Sequence, residues 1–130
     1  MAIKIILKEE IDFSNKKNYI LSCIKRETGY IRLCKCENVL ELYDSFEIND
    51  VFILSFELSD NNLLDFVKNN PKYRSNLHFI RNTFIELNNA FKILSEKKII
   101  HRDIKHENIL LKFEKNKIIP KLGDFGISRN

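Results

Sequence analysis

The chain has 130 residues, 44% apolar and 31% charged, with a formal net charge of +4. That length and balance describe one globular domain of the soluble type, and no apolar run approaches the ~18 residues that a membrane span needs. The basic residues are spread along the chain instead of clustering, which argues against a nucleic-acid binder.

The three cysteines, Cys23, Cys34 and Cys36, are an odd number without disulfide-framework spacing, which favours a reducing compartment. The C-K-C pair lacks a second Cys or His pair at ligand spacing, so a zinc site is not expected. The start, M-A-I-K-I-I-L-K-E-E, acquires charge too quickly for a signal peptide. The expected address is cytoplasmic or nuclear, with neither membrane nor nucleic acid as a partner.

In chain order, Ala2–Leu7 reads as a buried strand. Ser14 is a plausible N-cap for a helix running to Leu33, with Tyr19, Cys23 or Ile24, Glu27 and Ile31 on similar faces; Gly29 weakens it. The stretch 38–58 looks like a hairpin, and Val39 to Phe46 alternates as a half-buried strand should. The stretch 61–70 is a short helix stopped before Pro71. Leu77, Ile80, Phe84, Leu87, Phe91 and Leu94 recur at three- and four-residue steps, the stripe of a core-facing helix. Two apolar runs, around Ile99–Ile100 and Ile109–Leu111, read as short buried strands on either side of a charged loop. K-I-I-P-K-L forms a last strand, with Pro120 near an edge. The pattern is α+β with a segregated helical part.

The loop between those runs is H-R-D-I-K-H-E-N. Asp103 is a carboxylate suited to accept a hydroxyl proton, Lys105 can neutralise a phosphate, and the neutral oxygen of Asn108 suits hard Mg²⁺. Asp124 stands between Gly123 and Phe125–Gly126, where glycine allows a close approach to a metal. A base beside a two-oxygen magnesium site is the inventory for moving a phosphoryl group from a nucleotide to a hydroxyl.

H-R-D-I-K-H-E-N followed by D-F-G resembles the eukaryotic protein-kinase family. The resemblance implies a partial kinase-like fold, with residues 1–58 as an N-lobe portion and 59–130 as the start of a C-lobe. It implies ATP and Mg²⁺ as cofactors and a protein Ser or Thr hydroxyl as substrate, because Lys105 follows Asp103 by two positions. Asp103 and Lys105 take the catalytic roles, and Asn108 and Asp124 the metal roles. A-I-K resembles the family's V-A-I-K strand, so Lys4 would grip the α- and β-phosphates with Glu27 as its helix partner. C-E-N stands in place of the usual H-P-N turn. Ala2 and Leu110 match the pair that sandwiches adenine, and Phe56, Glu57 and Leu58 match the hinge, with Ser55 or Phe56 as gatekeeper. Ile31, Leu42, His101 and Phe125 match the apolar spine linking the lobes.

Against the family pattern, no G-x-G-x-x-G precedes the first strand, and the sequence reaches only I-S-R-N past D-F-G. The expectation is therefore a truncated serine/threonine kinase domain of compromised activity, with a complementing kinase chain as a candidate partner. The alternatives are a catalytically inactive, kinase-derived nucleotide- or partner-binding module, or a gene fragment. Without further C-lobe helices, the long amphipathic helix and the catalytic loop are expected to lack part of their packing.

Overall fold

A computed structural model describes residues 1–7, 17–48, 51–115 and 117–129, the side chains of 17–20 excepted. The expected N-cap Ser14 and the side chain of Tyr19 lie outside the described residues. Strand β1 (Ala2–Leu7), helix α1 (Lys17–Leu33), β2 (Leu42–Ile48) and β3 (Val51–Phe56) form the first half. The strands, rich in Ile, Val and Phe, make an antiparallel sheet in the order β1-β3-β2. Helix α1 buries Ile24, Glu27 and Ile31, one face at steps of three and four. It runs through Gly29, where an added Cβ would meet nothing within 4 Å.

The second half is β4 (Asn61–Asn62), α2 (Leu63–Asn69), α3 (Leu77–Glu96), β5 (Ile109–Glu114) and β6 (Lys117–Leu122). Asn62 and Asn76 cap the two helices, their side-chain oxygens accepting from Asp65 N at 2.8 Å and Phe79 N at 2.9 Å. Pro71 opens a short 3-10 turn after α2. The second sheet has the order β4-β5-β6, so Pro120 lies on an edge strand, where its missing N–H costs no ladder bond. The architecture is α+β, as the element order indicates.

Four expectations need correction. Strand β1 is not buried: Ile3, Ile5 and Leu7, on one face of an edge strand, are exposed. The strand predicted from Val39 begins at Leu42, with an irregular register between Leu42 and Asp44. Val39 instead bridges Leu122 in parallel, because Leu40 N donates to the Leu122 carbonyl at 2.9 Å and Leu122 N to the Asn38 carbonyl at 2.8 Å. Ile99–Ile100 is no buried strand: Ile99 is buried, while Ile100 is exposed and makes one bridge to Arg129. The predicted stripe on α3 is only partly core. Thr83, Leu87, Ala90 and Leu94 are buried, but Leu77 is 79% and Phe84 66% exposed. Periodicity names an apolar face without saying how much of it finds a partner.

One core joins the two halves: Ile31, Cys34, Leu42, Leu54 and Phe56 from the first pack with Ala90, Leu94, Leu122 and Phe125 from the second. Asn38, fully buried, knits the seam. Its Nδ2 donates to the Pro120 carbonyl at 2.9 Å and to Glu86 at 3.4 Å, and its Oδ1 accepts from Asn89 at 3.0 Å.

Replacing Asn38 by Ala strands these partners and should cost about 1–3 kcal/mol, read as a lower denaturation midpoint. Gly29→Ala should raise the midpoint by about 0.5–1 kcal/mol, because the position is helical and open. A neutral Asn38→Ala would disprove the seam.

Candidate active site

Strand β1 alternates, so Ala2, Lys4 and Ile6 share one face. Their cross-strand partners on β3, Phe56 and Leu54 among them, share that face, while Ser55 pairs with Ile3 on the other. Lys4 Nζ reaches across to α1 and donates to both carboxylate oxygens of Glu27, at 2.9 and 2.8 Å. Glu27 is only 5% exposed, so the ammonium is what makes burial of its charge tolerable.

In the charged loop, His101 is buried with its ring edge-on to Phe125, centroids 4.8 Å apart. Its Nε2–H donates to the Gly123 carbonyl at 2.9 Å, and its Nδ1 accepts the Asp103 N–H at 3.3 Å. Both ring nitrogens are used by a neutral imidazole, and burial pushes the His101 pKa below its usual value. Arg102 and Asp124 have φ of 67° and 57°, the left-handed region that non-glycine residues rarely adopt. Such strain persists where neighbours hold it. The Arg102 guanidinium donates to the Ile127 carbonyl through both Nε and Nη2. The Ser128 hydroxyl donates to the His101 carbonyl at 3.2 Å.

Asp103 is bound on one side. Lys105 Nζ and Asn108 Nδ2 both donate to its Oδ2 at 2.8 Å, and Asn108 Nδ2 also reaches the Asp103 carbonyl at 2.9 Å. The Lys105 ammonium holds the Asp103 carboxyl below the usual carboxylate range, and Asn108 adds to this. Oδ1 of Asp103 and the amide oxygen of Asn108 have no partner among the described residues. Gly123 N donates to the Asn108 carbonyl at 2.9 Å, and a Cβ at Gly123 would lie 3.2 Å from the Leu110 side chain, which would have to give by a few tenths of an ångström. Asp124 is exposed beyond it, and a Cβ at Gly126 would lie 3.9 Å from Glu27 Oε2. The D-F-G turn therefore sits beside the Lys4–Glu27 pair.

Ala2 and Leu110 pack against the same core cluster from different sheets. Ile31, Leu42, His101 and Phe125 are all buried. Beyond β3, Phe56 is buried, but the Glu57 carboxylate turns to Lys121, at 3.0 Å. Leu58 is half-exposed, and its carbonyl accepts from Lys112 at 3.0 Å. The sequence reading missed Asn38, Lys121 and Ser128. Lys121 on an edge strand reads as a solvated charge; in the fold it is buried, its Nζ also donating to the Glu37 carbonyl at 2.7 Å. Among the described residues no cluster of three His, Cys, Asp or Glu could hold a metal, and the three cysteines are free.

Because the folded state depresses the His101 pKa, the unfolded chain binds the extra proton first. This contribution to stability is complete above the ordinary imidazole value of 6.5 and is lost as pH falls through the depressed folded value. Melts from pH 7.5 to 5.5 should drop more steeply for the parent than for His101→Phe. Identical slopes would mean that His101 folds without this penalty.

The family model described as protein kinase domain matches residues 1–130. The chain is 32% identical over 128 residues to the carbon catabolite-derepressing protein kinase of Saccharomyces cerevisiae, covering 98% of this chain and 19% of that protein. It is 32% identical over 124 residues to the human serine/threonine-protein kinase Nek5, covering 93% of this chain and 17% of that protein. It is 35% identical over 129 residues to cyclin-dependent kinase-like 1 of Caenorhabditis elegans, covering 99% of this chain and 34% of that protein. The chain thus spans between about a sixth and a third of these relatives. No helix among the described residues is long and apolar enough to cross a membrane. An ion pair between Lys4 and the buried Glu27, a strained H-R-D loop and a D-F-G turn beside both, together with a family match over the whole length, make this chain a member of the protein kinase family.

Proposed function

We propose that the chain carries the Mg-ATP and phosphoryl-transfer residues of a serine/threonine protein kinase, with residues 1–58 contributing the N-lobe side and 59–130 the C-lobe side. The observation that carries this reading is the one-sided binding of Asp103. Lys105 and Asn108 occupy Oδ2 and leave Oδ1 free to accept a hydrogen bond from a Ser or Thr hydroxyl. Asp103 stays ionised at neutral pH, so it orients that hydroxyl and takes its proton as the phosphoryl group moves. Lys105 is placed to neutralise the transferring group.

ATP would enter beside Lys4, whose ammonium, fixed by Glu27, meets the α- and β-phosphates. Ala2 and Leu110 would cover the adenine faces, and the backbone of Phe56–Leu58 would read its edge. With its carboxylate turned to Lys121, Glu57 contributes through its main chain. The shared face of Ala2, Lys4 and Phe56 supports Phe56, not Ser55, as gatekeeper. The Asp124 carboxylate and the Asn108 amide oxygen are hard donors that fit Mg²⁺, an ion usually held by one or two protein groups plus substrate phosphates. The bound ion would neutralise phosphate charge. Transfer by the whole protein and the identity of its substrate belong to this proposal.

The test is a thermal melt of residues 1–130 with and without Mg-ATP, for the parent and Asp124→Asn. Saturating nucleotide at about 100 times Kd should stabilise the parent by about 2.7 kcal/mol and Asp124→Asn by clearly less. Asp103→Asn should keep the nucleotide shift while lowering transfer to a Ser/Thr peptide by about 10²–10⁴-fold. Undiminished transfer by Asp103→Asn would refute its role. A nucleotide shift without transfer in the parent would favour a binding module.

A further inference from the structure

The C-K-C pair follows the last turn of α1, and the phosphoryl-transfer reading gives its thiols no role. Cys34 N donates to the Tyr30 carbonyl at 2.9 Å, and the Cys36 carbonyl accepts from Val39 N at 3.2 Å, so both cysteines lie on the turn that leads into Asn38. Cys34 is fully buried in the core cluster, and Cys36, half-buried, packs against that same cluster. Lys35 between them points the other way, its side chain 76% exposed and paired with Glu41 at 2.7 Å. The two thiols therefore leave the chain on the same, inward side.

Their reach is set by the chain itself. Two peptide units hold the Cα atoms within about 7 Å of each other, and a turn brings them closer, into the range that a disulfide spans. Both thiols are free. Cys23 is no rival partner for Cys34, because it stands eleven positions earlier on α1, about 16 Å away along the helix axis. Among the described residues no third His, Cys, Asp or Glu joins the pair to complete a metal site.

The surroundings give the two thiols different parts. Burial pushes the Cys34 thiol up, Cys36 adds to this, and Lys97 opposes it. A buried, protonated thiol is a poor first nucleophile, so a reagent in solution meets Cys36 first. Cys34 stands behind it as the resolving thiol.

We infer that Cys34 and Cys36 are a redox pair, oxidised to a disulfide by low-molecular-weight disulfides of the glutathione type. The Cys36 thiolate attacks one sulfur of the small disulfide, forming a mixed disulfide and releasing one thiolate. Cys34 gives its proton to solvent and attacks the Cys36 sulfur, forming the Cys34–Cys36 bond and releasing the second thiolate. The protein loses two electrons, which leave with the two small thiols. The loop so closed is too short to gain much from chain entropy, and the bridge draws the Cys34 sulfur from its packed position. Such a bond is readily reduced, which suits a reversible sensor in a reducing compartment. It also reshapes the turn before Asn38, which pins β6 to the end of α1, so oxidation loosens that seam.

The experiment treats residues 1–130 carrying Cys23→Ser with oxidised glutathione and follows intact mass and the thermal melt. The expected product is a monomer lighter by two hydrogens, restored by dithiothreitol, with a midpoint below that of the reduced chain. Cys34→Ala in the same background should stop with one glutathione on Cys36. Cys36→Ser should react on the order of tenfold more slowly or less, because only the buried thiol remains. No reaction, or a lasting glutathione adduct on Cys36 with Cys34 present, would overturn the pair. A disulfide-linked dimer would overturn it in favour of a bond between copies. An oxidised monomer that melts with the reduced one would overturn the coupling to the seam. Oxidation needs no nucleotide and should proceed equally in Asp103→Asn, which separates this proposal from the phosphoryl-transfer reading.

Discussion

The site depends on a buried amide. Asn38, on the connection between α1 and β2, holds the Pro120 carbonyl with its side chain and the Leu122 N–H with its main chain, while Asn89 of α3 donates to it. A fully buried amide is expensive unless each of its groups is answered, so this geometry tolerates little displacement. It pins the end of β6 against the end of α1. Two residues beyond Leu122 comes Asp124, and α1 is the element that carries Glu27. The distance between the D-F-G turn and the Lys4–Glu27 pair is thereby set by an interaction outside the site. Lys121 adds a second tie, joining β6 to the Glu37 carbonyl and the Glu57 carboxylate.

Within the site, order is imposed by using up alternatives. His101 has both ring nitrogens engaged and its ring packed edge-on to Phe125, which leaves it one tautomer and one orientation. Asp103 has one oxygen bound by Lys105 and Asn108, which leaves the other without a partner among the described residues. Arg102 and Asp124 occupy left-handed backbone conformations on either side of this arrangement. Their side chains thus leave the main chain in directions that ordinary loop conformations do not supply. The core on one side and the Arg102–Ile127 and Ser128–His101 bonds on the other hold the strained positions.

The same structure leaves an apolar surface uncovered. Leu87 and Phe84 both belong to the periodic stripe of α3, yet one is sealed in the fold and the other is open to solvent. The difference lies in what the neighbouring elements reach, since both residues satisfy the helical period equally well. The H-R-D loop shares this asymmetry: His101 is buried and Ile104 is exposed.

Local chemistry was legible in the sequence. Most of the strands, the three helices with the stop at Pro71, and the H-R-D and D-F-G segments arise from period, turn chemistry and motif spacing, which act over a few residues. Glu27 was legible too, through its helical spacing and its distance from C-E-N. Three things were decided only by tertiary structure. Cross-strand register placed Phe56, not Ser55, on the face of Lys4, because a side chain's face is defined by the strand it pairs with. The Leu122 bond drew Val39 and Leu40 out of the expected strand. Lys121, which no sequence pattern singled out, became a buried anchor because partners remote in sequence converged on it. Periodicity tells which residues can share a face; only the assembled chain determines what that face meets.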